Sequence, residues 1–267
     1  MLYYPMKKGG LIMRKSPFAV ILVSAILAAL CMTVRRFELF LLLDEYGLSV
    51  FTPLSVILAL ALVLAAVFFV LYAVKQLPKT AERFYTELFA AKTPVPLAVS
   101  LVGMLLCFVA AYRFFLLWKG GASVVLLGIA VLTALSGAAW VFAEFAAFGK
   151  NSASPAALLT AGYVMTLQPV CTVLYYYKKN APEPNLLLVL YTFLALCAVI
   201  LACYYLTGST VRRTKPRLTL VSCGLAFVLC LTALIREQSL LYGTLLASYA
   251  LGTASFGIRL LRAEPEP

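Results

Sequence analysis

PLSVILALALVLAAVFFVLYAV, residues Pro53–Val74, runs for 22 residues without a charge and stops at Lys75. About 20 apolar residues in a helix cross the roughly 30 Å hydrocarbon layer of a bilayer. The run does not alternate apolar and polar residues as a membrane-barrel strand does. In lipid only a helix satisfies such a backbone within its own segment. The stretch therefore predicts a transmembrane helix.

Comparable runs lie on both sides of it, at Pro17–Val34, Val95–Trp118, Ala122–Phe148, Ala156–Tyr177, Asn185–Thr207, Leu218–Ile235 and Ser239–Ile258. The expected fold is all-α: a polytopic integral membrane protein of eight transmembrane helices. Residues 1–16 form an N-terminal tail, 17–258 the membrane domain and 259–267 a C-terminal tail. Of the 267 residues, 64% are hydrophobic and 12% charged, against about 45–50% and about 25% in soluble domains. That excludes a soluble enzyme, a disordered chain and a secreted disulfide scaffold. The longest polar stretch, Lys75–Pro94, is too short to bury a core of its own.

Loop charges orient the helices. One side carries Lys7, Lys8, Arg14, Lys15, Lys75, Lys79, Arg83, Lys92, Lys150, Arg212, Arg213, Lys215, Arg217, Arg259 and Arg262, a total of 15. The other carries 7: Arg35, Arg36, Arg113, Lys119, Lys178, Lys179 and Arg236. Both termini are expected in the cytoplasm. Trp118 and Tyr175–Tyr177 mark outer interfaces; Tyr72, Tyr204 and Tyr205 mark inner ones. Lys7-Lys8-Gly9-Gly10, two codons before Met13, reads like a translated bacterial ribosome-binding site. The native start is therefore expected at Met13 and the host membrane is expected to be the bacterial cytoplasmic membrane; a genuine basic tail is the alternative.

Two connections suggest structure. Thr80–Ala91 places Ala81, Phe84, Tyr85 and Leu88 on one helical face, as in an amphipathic helix lying on the membrane surface. Phe37–Tyr46 either lengthens the first helix or lies flat at the outer interface. The second is favoured, because Arg35-Arg36 reads as the end of the span.

The odd-numbered helices share a layout. Pro17, Pro94, Pro155 and Pro216 stand near their starts, the last three 61 residues apart. Cys31, Cys107, Cys171 and Cys230 lie in their outer halves, and Arg36, Arg113, Lys178 and Arg236 at their outer ends. Either four helical hairpins arose by duplication, or proline suits helix starts and basic residues suit span ends in any membrane protein.

Few residues offer chemistry. The absence of His removes His-ligated haem or zinc and His-based nucleophile pairs. The seven Cys lie in apolar runs without a CxxC and read as small core hydrophobes. No nucleotide or hydrolase motif is present, so no cofactor or metal and no catalytic residue is expected. Gln168-Pro169, midway along the fifth helix, is a candidate polar substrate site at a broken helix, or a Gln bonded to a neighbouring helix. Glu144 either carries protons or pairs with Lys150 at the interface, the latter favoured. Arg36, Arg113, Lys178 and Arg236 would gather around an anionic solute or headgroup if the odd helices faced one another; otherwise they reach separately to water or lipid phosphate.

The Arg212–Arg217 cluster would attract anionic lipid at the cytoplasmic face. Nucleic-acid binding is not expected. Small residues Thr244, Ser248, Gly252 and Ser255, and Ala130, Ala134 and Ala138, read as stripes for close helix packing. The expected role is a non-catalytic membrane component acting through helix contacts with a membrane-protein partner; the alternative is a small-solute or lipid transporter using Gln168.

Overall fold

The computed structural model describes residues 17–41, 53–80, 89, 94–148, 154–180, 186–211, 214–235 and 239–262. These form eight long helices: α1 (Pro17–Leu41), α2 (Pro53–Gln76), α3 (Val95–Lys119), α4 (Val125–Phe148), α5 (Pro155–Asn180), α6 (Leu186–Gly208), α7 (Pro216–Leu234) and α8 (Leu240–Arg262). Each is long and apolar enough to span a bilayer, and there is no strand among the described residues. The chain is an all-α polytopic membrane protein. The end of the bundle at which α1 starts and α8 ends is here termed the terminal face.

Proline opens α1, α2, α5 and α7, and Pro94 caps α3. At a helix start its missing N–H leaves no bond unmade. The α3–α4 turn needs Gly121, whose φ of 92° lies in the left-handed region open to glycine.

The helices arrange by polarity. α8, the least apolar span, is the most buried; α2, the most apolar, is among the least buried. Lipid tails solvate leucine as well as a neighbouring helix does, so burial falls to the helix whose small and polar side chains gain from contact. α8 lies between α3 and α7, and α4 and α5 reach it through long side chains. α2 packs on α1 and α7, and α1 also touches α8.

Close approach to α8 is literal. A Cβ on Gly252 would stand 2.8 Å from the Trp140 ring, and one on Gly103 would stand 3.1 Å from the Ser248 carbonyl oxygen. Ser248, Gly252 and Ser255 are buried as the stripe requires. The α4 stripe is not: Ala130 is buried, Ala134 half-buried and Ala138 exposed. The buried face of α4 runs instead through Ile129, Thr133, Ser136, Trp140, Ala143 and Ala147, where larger and more polar side chains meet α3, α5 and α8.

Two further expectations change. α1 does not end at Arg35-Arg36 but continues to Leu41. Arg35 is buried against Glu38 one turn on, so the pair is neutralised inside the helix. α8 likewise runs past Ile258 to Arg262, which puts Arg259 inside the bundle rather than in a tail. Each face thereby loses one cation from the loop-charge count.

The hairpins α3–α4, α5–α6 and α7–α8 share one packing order, with α4 on α5, α6 on α7 and α8 on α3. The first hairpin departs from it, since both α1 and α2 lie on α7. The 61-residue proline spacing covers those three hairpins, and fourfold repetition is not what the packing displays. The amphipathic helix expected at Thr80–Ala91 falls outside the described residues except for Thr80 and Phe89, the latter buried edge-on against Phe256.

Candidate functional site

Along α5 the residues Leu158, Ala161, Gly162, Met165, Gln168, Pro169, Thr172, Val173 and Tyr176 are buried. Steps of three and four put them on one face. Gln168 is on that face and faces inward. α5 passes through Pro169 as a single helix from Pro155 to Asn180, not as a broken one.

The Gln168 side chain is 0% exposed. Its Nε2 donates to Thr133 Oγ1 at 3.1 Å and to Thr172 Oγ1 at 3.0 Å, and its Oε1 accepts from the Tyr249 hydroxyl. Both threonines in turn donate backward along their helices, Thr133 to Ile129 O at 2.7 Å and Thr172 to Gln168 O at 3.0 Å. Every hydroxyl has one proton to give, and each gives it to a definite acceptor. The Cys107 thiol donates to Thr133 O at 3.4 Å. This one chain of bonds ties α3, α4, α5 and α8.

A second polar centre lies toward the terminal face. Glu144 of α4 and Arg259 of α8 form a fully buried ion pair. The Ser255 hydroxyl is 3.2 Å from Glu144 Oε1 and 2.9 Å from Pro96 O, and its single proton serves one at a time. Arg259 Nη1 donates to Phe89 O at 3.2 Å. Phe256 closes the site, its ring 5.4 Å from Phe89 and 5.2 Å from Trp140. Glu144 is therefore paired with Arg259; Lys150, the partner expected from the sequence, lies outside the described residues.

A third centre lies at the opposite face. The guanidinium of Arg35, paired with Glu38, also sits 4.4 Å above the centroid of the buried Tyr191 ring. Glu38 Oε1 and Arg259 Nε have no hydrogen-bond partner among the described residues.

The basic ring does not assemble. Of the odd helices only α1 and α7 pack closely together, so the condition for gathering the four cations fails. Arg36 and Lys178 are exposed, Arg113 is half-buried, and Arg236 lies outside the described residues. Among the described residues, no three of Cys, Asp and Glu gather as metal ligands would.

The sequence reading missed Tyr249, Thr133, Thr172, Ser255 and the inward role of Arg259. A tyrosine reads as an interface anchor and a threonine as filler. The available signal was the low apolarity of the last span, which marks a helix turned toward protein.

Two clefts are formed by described residues of the bundle. One, of about 180 Å³, lies between α1, α7 and α8 toward the terminal face, lined by small residues including Ser24, Ala25, Gly224, Ala254 and Gly257. The other, of about 820 Å³, lies between α4 and α5 toward the opposite face. Neither is lined by Gln168, Thr133, Thr172 or Tyr249. No protein-family model, no curated protein and no solved structure matches the chain.

Proposed function

We propose that the chain is a non-catalytic component of a cell membrane that acts by contact with another membrane protein. The observation that carries the reading is the inward closure of its polar groups. Gln168 has both donors and its oxygen engaged, and Glu144 is held by Arg259 and Ser255. Catalysis needs reactive groups that converge on a substrate, whereas these converge on each other.

The cleft between α1, α7 and α8 supports the contact. Small residues let a neighbouring helix backbone come close, and such contact is what drives helix association in lipid. A Cβ added at Gly257 would meet only Cys223 Cβ at 3.9 Å, so the cleft has room for a partner's side chain. The charge asymmetry supports cytoplasmic termini, with the Arg212–Arg217 cluster near anionic lipid.

A benzophenone amino acid at Ala25, photoactivated in native membranes, tests the proposal. It is expected to capture one discrete membrane polypeptide, and Gly257→Leu is expected to abolish the adduct while the chain stays folded. Adducts to lipid alone would overturn it. Transport through Gln168 would require its amide to release Tyr249, Thr133 and Thr172, and uptake lost in Gln168→Ala at normal protein level would favour that alternative.

A further inference from the structure

The larger cleft, between the start of α4 and the end of α5, differs in chemistry from the first. Its walls are apolar, formed chiefly by Val124, Ile129, Leu132, Leu174 and Tyr175. Its mouth carries Lys178 and Lys179, both exposed, and among the described residues no acidic one lines it. The N-terminus of α4 opens at the same mouth, with the Ser123 hydroxyl accepting from Val125 N at 3.3 Å. A helix N-terminus favours negative charge, and the charges of Lys178 and of Lys179, whose ammonium is also 5.8 Å from the Tyr242 ring centroid, add to it. On the floor is Gly128, where an added Cβ would meet nothing within 4 Å. The groove thus has a positive rim at the membrane surface and an apolar trough below it.

We propose that this groove holds an anionic phospholipid of the leaflet opposite the terminal face, its phosphate at Lys178 and Lys179 and an acyl chain in the trough over Gly128. Lysine binds phosphate as a point charge, and the cation–headgroup attraction is strongest within a Debye length of the surface. A free phosphate would use the rim without the trough. The site is separate from the Arg212–Arg217 cluster, which follows α6 and precedes α7 on the terminal face.

The test is native mass spectrometry of the full chain in delipidated detergent micelles, titrated with phosphatidylglycerol or phosphatidylcholine. The first phosphatidylglycerol is expected to bind about thirtyfold more tightly than phosphatidylcholine, the size of effect two surface lysines at about 1 kcal/mol each give. The exposed pair Lys178→Gln/Lys179→Gln should erase that preference, and Gly128→Leu, whose Cβ has open space and whose side chain would occupy the trough, should weaken both lipids. Millimolar glycerol phosphate should displace neither. Equal binding of the two lipids by the native chain would overturn the proposal. So would preference lost in Arg212→Gln/Arg213→Gln but kept in the lysine variant, unchanged binding in Gly128→Leu, or displacement by glycerol phosphate.

Discussion

Arg259 and Glu144, 115 positions apart, meet as a fully buried ion pair between α8 and α4. An ion pair in an apolar interior gains little over a well-packed apolar pair, but removing one partner strands the other. The pair therefore fixes which helices meet more than it adds to stability. Ser255 and the Phe89 carbonyl, both bonded to it, extend that choice to α3 and to the segment before it.

Arg259→Ala is expected to cost about 3–5 kcal/mol, the range for breaking a buried pair. Glu144→Leu/Arg259→Leu should cost less than either single change, because no charge is then left alone. Unfolding in mixed detergent micelles, run as a double-mutant cycle, checks this. Single variants as stable as the parent would refute the pairing.

Gln168→Ala leaves Thr133, Thr172 and Tyr249 without their shared partner and should cost about 1–3 kcal/mol. Tyr249→Phe removes one bond and should cost about 0.6–1.7 kcal/mol, as hydrogen bonds between membrane helices do. The double variant should fall short of the sum, since both changes break the same bond. Full additivity in the same unfolding assay would show that the two residues act apart.

Two glycines on α8 should respond oppositely. Gly252→Ala drives a Cβ to within 2.8 Å of the Trp140 ring and should destabilise by about 1–3 kcal/mol, as overpacking does. Gly257→Ala meets only ordinary contact and should be neutral or stabilising by up to about 1 kcal/mol through helix propensity. Equal melting temperatures for the two variants would argue against the close α4–α8 approach.

Glu38→Ala removes the carboxylate paired with the buried Arg35 guanidinium near the end of α1. Amide hydrogen exchange over residues 35–41 should rise about tenfold or more, a modest part of what breaking a buried pair can release, while residues 20–30 keep their protection. Unchanged exchange at 35–41 would mean that the pair does not hold the last turns.

The eight spans were legible because bilayer thickness imposes a length that uninterrupted apolar runs display openly, as Pro53–Val74 does. Partners were not legible. Glu144 was matched to Lys150 because sequence distance stood in for spatial distance, and its actual partner is on the last helix. Arg35-Arg36 read as a stop because charge was counted residue by residue, whereas Glu38 neutralises Arg35 from within the same helix. Gln168 stood out as a polar side chain at mid-span, and its bonding to a neighbouring helix was one of the two readings. What no periodicity could supply was Tyr249, which faces inward because α8 does.

The central claim is that the polar core is sealed from both faces of the membrane, and Cys107 is its native reporter. It is buried, with its thiol on the backbone of Thr133, the residue that holds Gln168. Intact cells and inverted membrane vesicles can each be treated with a charged, membrane-impermeant methanethiosulfonate and the labelled peptides read by mass spectrometry. Cys107 is predicted to stay unmodified from either side. Its modification from one side would reveal a water-filled path to Gln168 and contradict the account.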